Sequence, residues 1–219
     1  MPQVYKIRKG LNINLKGKAE KIFIKTEIAD SYAVKPIDFH LVIPKLEVRE
    51  GDKVKAGTVL FHDKNHPEIK FTSPVSGIIL SVNRGDRRII KEIVIKPDFS
   101  QEFVSFEPGN PLEMNREEII AKILASGLWP AIKQRPYNII ANPSGTPKSI
   151  FISAFDTAPL APDYDFLIKG SENEFHIGID ALSRLTPGKV HININNEYPA
   201  SFAFSKARNA QVNYFRGPH

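Results

Sequence analysis

The chain has 219 residues, 42% apolar and 10% aromatic, enough to bury the core of one large domain or two smaller ones. It contains no cysteine, which excludes disulfides, thiolate zinc sites, cysteine-ligated iron–sulfur clusters and cysteine nucleophiles within these residues. Its net charge of +6 is uneven, since residues 1–97 carry 19 Lys and Arg against 11 Asp and Glu, while residues 98–219 carry 11 against 13. The basic part indicates a negatively charged partner or a solvated lysine-rich surface, and it lacks the interleaved aromatic or Gly-Arg residues of nucleic-acid binders.

The first 97 residues read as short strands and turns. Strands are predicted at residues 4–7 and 22–24, with a turn at Lys9-Gly10. The pattern Val-x-x-Gly-Asp then occurs twice, and in each copy we expect a strand to end at the valine and the Gly-Asp pair to turn the chain. The copies stand at residues 48–52 and 82–86, and short β-rich runs stand at residues 41–43, 59–61, 69–71, 78–80 and 93–95. This arrangement resembles the two halves of a lipoyl/biotinyl-like domain, the barrel-sandwich hybrid.

Such domains carry a cofactor on a lysine at the tip of the hairpin that joins the two halves. Asp63-Lys64 is the nearest match in this chain, but Lys64 lies seven residues after Gly57 and nine before Ser73, so it is off-centre. Pro67 would also disturb a tight hairpin. The sequence therefore favours an unmodified Lys64 over a lipoyl or biotinyl attachment site.

The middle of the chain predicts a linker followed by a helix. Residues 98–114 contain Pro108, Gly109 and Pro111, which suits a linker. Asn115 is a good N-cap with Glu118 three positions later, a capping-box pattern. Apolar residues 119, 120, 123 and 124 fall on one helical face, and Gly127 is placed to end the helix.

The C-terminal part predicts a βαβ unit of a parallel sheet. A buried strand is expected at residues 149–155, a helix near residues 172–185 and an alternating strand at residues 190–195. Residues 144–149 end in Lys-Ser but lack the spacing of a phosphate loop, and no Gly-x-Gly-x-x-Gly is present. Asp-Thr-Ala-Pro follows Phe155 where a Gly-rich turn would bind a nucleotide, so the unit has no nucleotide fingerprint.

These elements predict a mixed, α+β chain in three parts. Residues 1–97 form a barrel-sandwich hybrid domain with N-terminal strands, residues 98–114 a linker, and residues 115–219 a Rossmann-like α/β domain. Gly-Pro-His at residues 217–219 is loop-like, so we expect the C-terminus to be truncated relative to a longer protein.

Clusters of chemically active residues are few. His62 and His66 are spaced i, i+4, but the proline-containing loop context argues against a metal site there. Arg84, Arg87 and Arg88, with Lys91 nearby, surround the second Gly-Asp turn. They are equally consistent with contacts to phosphate or anionic lipid and with a solvated turn.

Several stretches together resemble the N-terminal half of NqrA, one of the subunits of the Na⁺-translocating NADH:quinone reductase. They include Ser-Gly-Leu-Trp-Pro-Ala at residues 126–131 and Arg-Pro-Tyr at residues 135–137. The other matching stretches are residues 7–12, 59–64, 70–74, 83–88, 150–160 and 217–219. The related electron-transport protein RnfC shares the barrel but not the Gly-Leu-Trp and Arg-Pro stretches.

The resemblance implies a peripheral subunit on the cytoplasmic side of the inner membrane. It would belong to a translocase that passes electrons from NADH to ubiquinone and transports sodium, while the isolated chain would not be catalytic. FAD, FMN and Fe–S centres are expected on partner subunits and none on this chain, which would assist assembly and contact the membrane surface. No apolar run approaches the roughly 20 residues of a membrane helix and no signal peptide is recognisable, which agrees with this expectation.

The resemblance also implies candidate quinone contacts. Segments of NqrA linked to quinone correspond to residues 28–35 and 131–138. The apolar and aromatic candidates in and beside them are Tyr32, Val34, Trp129, Pro136 and Tyr137. Ordinary packing is the alternative for each of them, because aromatic residues dominate protein cores.

Three other functions stay open at this stage. The first is a carrier module with a lipoyl or biotinyl group on Lys64, which the mass of the intact protein would reveal. The second is an RnfC-like electron-transport subunit. The third is a structural adaptor with a bare barrel, although the long helical hairpins typical of efflux adaptors are missing.

Overall fold

A computed structural model describes residues 4–11, 13, 15–17, 19–98, 100–197 and 202–218. The contacts divide the chain into two compact units. The sheet unit comprises Met1–Ile24, Gly109–Ile119 and Thr146–His219, and the barrel unit comprises Lys25–Pro108 and Ile120–Gly145. This is a grouping by contacts in space, whereas the domain ranges inferred from the sequence remain predictions.

The described elements follow one another in this order. The strands are β1 (Val4–Lys6), β2 (Tyr32–Val34), β3 (Pro44–Leu46), β4 (Lys53–Val54), β5 (Val59–Asp63), β6 (Lys70–Thr72), β7 (Gly77–Arg84), β8 (Ile90–Pro97), β9 (Lys133–Gln134), β10 (Ile139–Ile140), β11 (Ile150–Ser153), β12 (Val190–Asn195) and β13 (Ala210–Arg216). The α-helices are α1 (Arg116–Ala125), α2 (Tyr164–Leu167), α3 (Glu172–Ser183) and α4 (Phe202–Ser205), with 3₁₀ turns at Pro36–Asp38, Asp86–Arg88 and Trp129–Ala131.

The barrel unit is built from antiparallel sheets. One has the strand order β2-β8-β7-β4, a second has the order β3-β5-β6, and β9 and β10 form a separate hairpin. Its core is apolar and almost fully buried. The most buried side chains are Leu60, Phe61, Ile79, Ile93 and Ile95. Each contributes about 1.5–3 kcal/mol through removal of apolar surface from water, so this core is the main source of the unit's stability.

The two copies of Val-x-x-Gly-Asp do not end their strands at the valine. Strand β7 continues through Val82 to Arg84, and β3 ends before Val48. The predicted strand at residues 41–43 is also wrong. Leu41 has a φ of 66°, and pairing with β5 begins only at Pro44.

The sheet unit contains a parallel sheet in the order β1-β13-β12-β11. The predicted βαβ unit is confirmed, because β11 pairs in parallel with β12 and α3 lies between them in the chain. Val190, Ile192 and Ile194 alternate along β12 into a core that also contains Ile179 of α3 and Phe204 of α4.

Two sequence-based expectations in this unit are wrong. Strand β11 is not the buried strand that was expected, because Phe151 is 67% exposed, Ser153 is exposed, and Ile150 and Ile152 are only half-buried. Residues 22–24 form no strand. Phe23 instead stacks on Phe166 with ring centroids 4.5 Å apart. Tertiary contacts therefore replaced a local preference for extended pairing.

The predicted helix is present as α1, and its capping box forms in both directions. The Asn115 Oδ1 atom accepts a hydrogen bond from the Glu118 amide at 2.9 Å, and Glu118 Oε2 accepts one from the Asn115 amide at 2.8 Å. Two of the amide groups that helix geometry leaves free at the N-terminus are thereby satisfied. Gly127, with a φ of 74°, follows the helix as predicted.

Candidate functional site

The hairpin between β5 and β6 is where a carrier lysine would stand in a lipoyl-type barrel. Lys64 is exposed and directly follows Asp63, which is 6% exposed. Asp63 Oδ1 accepts hydrogen bonds from the amides of Ile43 at 3.1 Å and Asn65 at 3.2 Å. The Lys64 amide donates to the Ile43 carbonyl at 2.8 Å. The Lys64 backbone is therefore fixed beside the end of β5, and only its side chain reaches solvent.

A second hairpin carries two of the candidate quinone contacts, Pro136 and Tyr137. Strands β9 and β10 pair through Gln134 and Ile139, and the turn between them contains a cis Arg135-Pro136 peptide. Tyr137 in this turn is 78% exposed. Pro136 is also exposed. The turn therefore presents an aromatic ring and a proline ring to solvent.

Trp129 plays a different part from its two neighbours. It is 4% exposed, and its indole Nε1 donates a hydrogen bond of 2.7 Å to the Ala141 carbonyl, directly after β10. A buried Trp needs such an acceptor because desolvating its N–H without one is costly. Trp129 thus fixes the base of the hairpin that displays Tyr137, and its own ring faces the protein interior.

Tyr32 and Val34, the remaining candidate quinone contacts, lie on β2. Tyr32 pairs with Ile95 and Val34 with Ile93, and both isoleucines are fully buried. Side chains of paired residues lie on the same face of a sheet, so Tyr32 and Val34 share the face of these core residues. Both are half-buried. The structure thus places the five candidates on three elements of the barrel unit, namely β2, the 3₁₀ turn that contains Trp129, and the turn between β9 and β10.

The arginine cluster forms the turn between β7 and β8. Arg84 ends β7, and Arg87 and Arg88 lie in a 3₁₀ turn with φ values of 55° and 61°. The Arg84 guanidinium donates to the Arg88 carbonyl at 3.1 Å, and the Gly85 amide donates to the Ile89 carbonyl at 2.8 Å. All three arginine side chains are exposed, and the turn brings them together.

A cleft in the sheet unit was not predicted from the sequence. It has a volume of about 310 Å³ and lies where β1 and β13 end and the segment after β11 begins. Its lining includes Lys9, Leu11, Thr157 and Pro218. The carboxyl ends of parallel strands are the usual place for ligands in open α/β sheets. The signal available in the sequence was that residues 7–12, 150–160 and 217–219, three of the stretches that carry the family resemblance, all follow or contain strand ends. Asn12 and His219 of these stretches lie outside the described residues.

The close approach of β1 and β13 at this edge depends on glycine. A Cβ atom at Gly217 would lie 2.5 Å from the Ile7 carbonyl oxygen, and Gly217 has a φ of 106°. The Asp156 carboxylate accepts a hydrogen bond of 2.7 Å from the Ala158 amide. The turn after β11 therefore satisfies its own amide, whereas a Gly-rich phosphate loop directs its amides at a ligand.

The described histidines and carboxylates show no metal-binding geometry. His62 Nδ1 lies 2.5 Å from Glu47 Oε1, and His66 Nδ1 lies 3.5 Å from Glu68 Oε1. Each histidine therefore faces a separate carboxylate. Across the described ranges, no group of three or more His, Asp or Glu side chains could hold a metal ion.

Three carboxyl groups have a lowered pKa because they accept hydrogen bonds from neighbouring residues. The Ser76 and Ser100 hydroxyls hold the pKa of Asp98 below its ordinary value, with the Ser76 hydrogen bond having the larger effect. The hydrogen bond from Lys21 lowers the pKa of Asp163. Backbone hydrogen bonds, led by that from Gly170, lower the pKa of Glu172. None of these carboxyls lies among the candidate contacts.

No helix in the portion that the structure describes is sufficiently long and apolar to cross a bilayer.

Comparison with protein families gives two matches that together span nearly the whole chain. Residues 5–98 match the NqrA N-terminal barrel-sandwich hybrid domain, and residues 114–219 match the NqrA second alpha/beta domain. The fold class predicted from the sequence is confirmed by these matches.

Curated relatives agree with the family models. The NqrA subunit of the Na(+)-translocating NADH-quinone reductase of Serratia proteamaculans (strain 568) is 38% identical over 220 residues, and that of Yersinia pestis is 37% identical over 219 residues. The same subunit of Neisseria meningitidis (strain Z2491) is 35% identical over 216 residues. Each alignment covers 98% of this chain and 48% of the relative, so the chain spans about half the length of the curated relatives it matches.

Proposed function

The chain belongs to the NqrA family, and from that membership we propose that it serves as a peripheral subunit of a Na⁺-translocating NADH:quinone reductase. The observation that carries the proposal is the alignment to the NqrA subunits of three bacteria, at 35–38% identity over 98% of the chain. Both family domains occur in order along the chain. Its partners are then the other subunits of the complex, and its place is the cytoplasmic side of the membrane.

Electron transfer and sodium transport are assigned to the complex as a whole. This chain has no cysteine for an iron–sulfur cluster, and its β11 turn lacks the Gly-rich geometry of a dinucleotide site. We assign the flavins and the Fe–S centre to partner subunits and an assembly role to this chain. The barrel unit, with its antiparallel sheets and buried apolar core, supplies a surface for contacts with other subunits.

A contribution to the quinone site is assigned to the β9–β10 hairpin. The exposed rings of Pro136 and Tyr137 can pack against a quinone ring or its isoprenoid tail, while Trp129 supports the hairpin through the Ala141 carbonyl. Tyr32 and Val34 have less free surface, and they would reach a quinone only through their exposed edges.

Purification of the protein from detergent-solubilised membranes tests its membership of the complex. The affinity-tagged protein is expected to copurify with flavin-containing membrane subunits, identified by mass spectrometry, and with NADH:quinone reductase activity that sodium stimulates. Recovery of the protein without these subunits and without that activity would contradict the proposal.

The quinone assignment is tested in the purified complex. Tyr137→Ala is expected to raise the KM for quinone several-fold and to leave NADH oxidation by an artificial acceptor unchanged. Phe103→Ala is a matched control, because Phe103 is also an exposed aromatic residue of the barrel unit. Equal KM values for quinone in the Tyr137 variant and the parent complex would show that the hairpin is not part of the quinone site.

A carrier module is the second candidate function, because Lys64 is exposed in the hairpin between β5 and β6. The intact mass of the protein purified from its own cells decides between a reductase subunit and a carrier module. We expect the unmodified mass, and a lipoyl or biotinyl increment that disappears in Lys64→Arg would favour the carrier.

A further inference from the structure

The geometry of the β7–β8 turn points to a membrane-docking element. We propose that the tip at residues 84–91, here called the basic turn, inserts Ile89 into the interface of an anionic phospholipid bilayer while its arginines contact the headgroups. The inference rests on the proposed function in one respect, since that function puts the chain at a membrane. It adds the surface that makes the contact and the lipid chemistry that it recognises.

The basic turn combines an exposed apolar side chain with a local excess of positive charge. Ile89 is 58% exposed although its neighbour Ile90 is 7% exposed. Residues 84–91 contain three arginines and one lysine against a single acid, Asp86. An apolar side chain flanked by cations is the pattern of interfacial membrane anchors, because the apolar group leaves water while the cations stay among anionic headgroups.

The turn is held in one conformation by its own hydrogen bonds. The Ile89 amide donates to the Asp86 carbonyl at 3.2 Å, and the Ile89 carbonyl accepts from the Gly85 amide at 2.8 Å. Both backbone polar groups of Ile89 are therefore satisfied within the turn, which lowers the cost of moving this residue out of water. Ile89 is thus a preorganised apolar tip.

Two consecutive arginines with positive φ are unusual, because residues other than glycine rarely adopt this backbone conformation. Arg87 and Arg88 have φ values of 55° and 61°, and both side chains are exposed. Such conformations cost free energy, and they persist where the surrounding structure or a function maintains them. Here they keep both guanidinium groups on the same tip as Ile89.

The nearest acids do not neutralise the tip. Asp86 is exposed on the turn itself, and Glu92 lies one residue beyond it, where its Oε1 accepts a hydrogen bond of 2.8 Å from the side-chain Nδ2 of Asn83. Glu50 Oε1 accepts a hydrogen bond of 2.8 Å from the Val82 amide. Four cations against these three carboxylates still leave the tip with a net positive charge.

A bilayer fits the tip better than a protein pocket does. A single aliphatic side chain on a narrow turn offers a small contact area, whereas stable protein interfaces bury about 800 Å² on each partner. A fluid bilayer accepts one inserted side chain, and its headgroups supply many phosphates to the surrounding arginines at once.

The docking test uses vesicles of phosphatidylcholine with and without phosphatidylglycerol, and sedimentation as the measure of binding. The 219-residue chain is expected to bind only the anionic vesicles, and more weakly as salt rises. Arg87→Gln with Arg88→Gln should weaken binding about 25-fold, at roughly fivefold for each cation. Arg84 is left in place because its guanidinium holds the Arg88 carbonyl. Ile89→Ser should weaken binding about tenfold through lost apolar burial.

Two matched controls separate the tip from the rest of the hairpin. Leu80→Ser alters an aliphatic residue of β7 that is 57% exposed, close to the 58% of Ile89, but four residues before Arg84. Lys53→Gln with Lys96→Gln removes two exposed cations that flank Ile78, about 20 Å along the strand from the tip. Both controls should bind anionic vesicles as the parent chain does.

Insertion itself is read with a fluorophore, because the chain has no cysteine and one can be added at a chosen position. An environment-sensitive dye on Ile89→Cys is expected to shift to the blue on anionic vesicles, and the same dye on Leu80→Cys is not. Absent vesicle binding, equal losses in the Leu80 and Ile89 variants, or an unshifted dye at position 89 would each overturn the docking proposal. Copurification with the partner subunits is measured separately, so failure of docking with an intact complex is distinguishable from failure of the proposed function.

Discussion

At the scale of single residues, the two Gly-Asp pairs of the repeated motif have different backbones despite identical letters. Gly51 has a φ of 88°, and its amide donates to the Ile79 carbonyl at 2.8 Å. Gly85 has a φ of −101°, which any residue can adopt. The first glycine is therefore required by its conformation, while the second is not.

This difference predicts unequal effects of the same substitution. Gly51→Ala should lower the free energy of unfolding by about 1 kcal/mol, because its Cβ meets no atom within 4 Å and only the left-handed backbone is penalised. Gly85→Ala should change it by less than about 0.5 kcal/mol, because the nearest atom is the flexible end of Lys91. Urea denaturation measures the free energy of unfolding of both variants. Equal decreases in the two would contradict the backbone conformations described for Gly51 and Gly85.

The Asp98 carboxylate provides a second test at this scale. It accepts hydrogen bonds from Ser76 Oγ at 2.5 Å and Ser100 Oγ at 2.9 Å, which lower its pKa. A lowered pKa means that folding favours the carboxylate. Its stabilising effect is therefore present above the unfolded-state pKa and is lost as pH falls through the folded-state pKa.

Ser76→Ala should raise the pKa of Asp98 towards its ordinary value, because the hydrogen bond with the largest effect on it is removed. Ser100→Ala should raise it less. Titration of the carboxyl carbon by NMR reads each pKa directly. A larger rise in the Ser100 variant would reverse the order of the two contacts.

At the scale of elements, a buried side chain positions an exposed turn. Trp129 occupies a 3₁₀ turn before β9, and its indole reaches the Ala141 carbonyl after β10. The Ala141 amide in turn donates to the Ile132 carbonyl at 2.9 Å. These two hydrogen bonds close the β9–β10 hairpin at its base, and Tyr137 lies at the opposite end.

Trp129→Phe keeps an aromatic ring but leaves the Ala141 carbonyl without its indole donor. It should therefore lower the free energy of unfolding by about 1–3 kcal/mol. Tyr137→Phe, at a ring that is 78% exposed, should have almost no effect. Thermal unfolding followed by circular dichroism compares the two variants. Equal stability of the Trp129 variant and the parent would show that the indole hydrogen bond contributes nothing.

At the scale of the whole molecule, the N-terminal residues belong to the sheet unit. Strand β1 pairs in parallel with β13, and Tyr5 stacks on Phe215 with centroids 5.0 Å apart. Lys21 Nζ lies 2.5 Å from Asp163 Oδ2. Residues far apart in the chain thus complete one edge of the parallel sheet, while the barrel unit begins at Lys25.

Deletion of residues 1–24 should therefore affect the two units unequally. Hydrogen–deuterium exchange is expected to accelerate in β13, which loses a paired strand, and in α2, which loses the contacts of Lys21 and Phe23. Exchange in β7 and β8 should stay as in the parent chain. Faster exchange across both units would contradict this grouping.

The sequence determined the elements whose signals are local. The capping box of Asn115 and Glu118 forms as predicted, and the alternation in residues 190–195 gives β12 with one buried face. Both follow from near-neighbour geometry, because helix caps and strand alternation depend on residues within a few positions. The sequence also determined the family resemblance, because the motifs that carry it are short stretches of consecutive residues.

The tertiary structure alone decided which distant segments meet. Nothing in residues 4–6 specifies β13 as their partner, and nothing near Trp129 shows that its indole faces the interior while Tyr137 faces solvent. The cleft likewise brings together residues that follow β1, β11 and β13, among them Lys9, Thr157 and Pro218. Such contacts depend on the burial of apolar surface summed over the whole fold, so short sequence patterns identify the elements and only the packed molecule places their side chains.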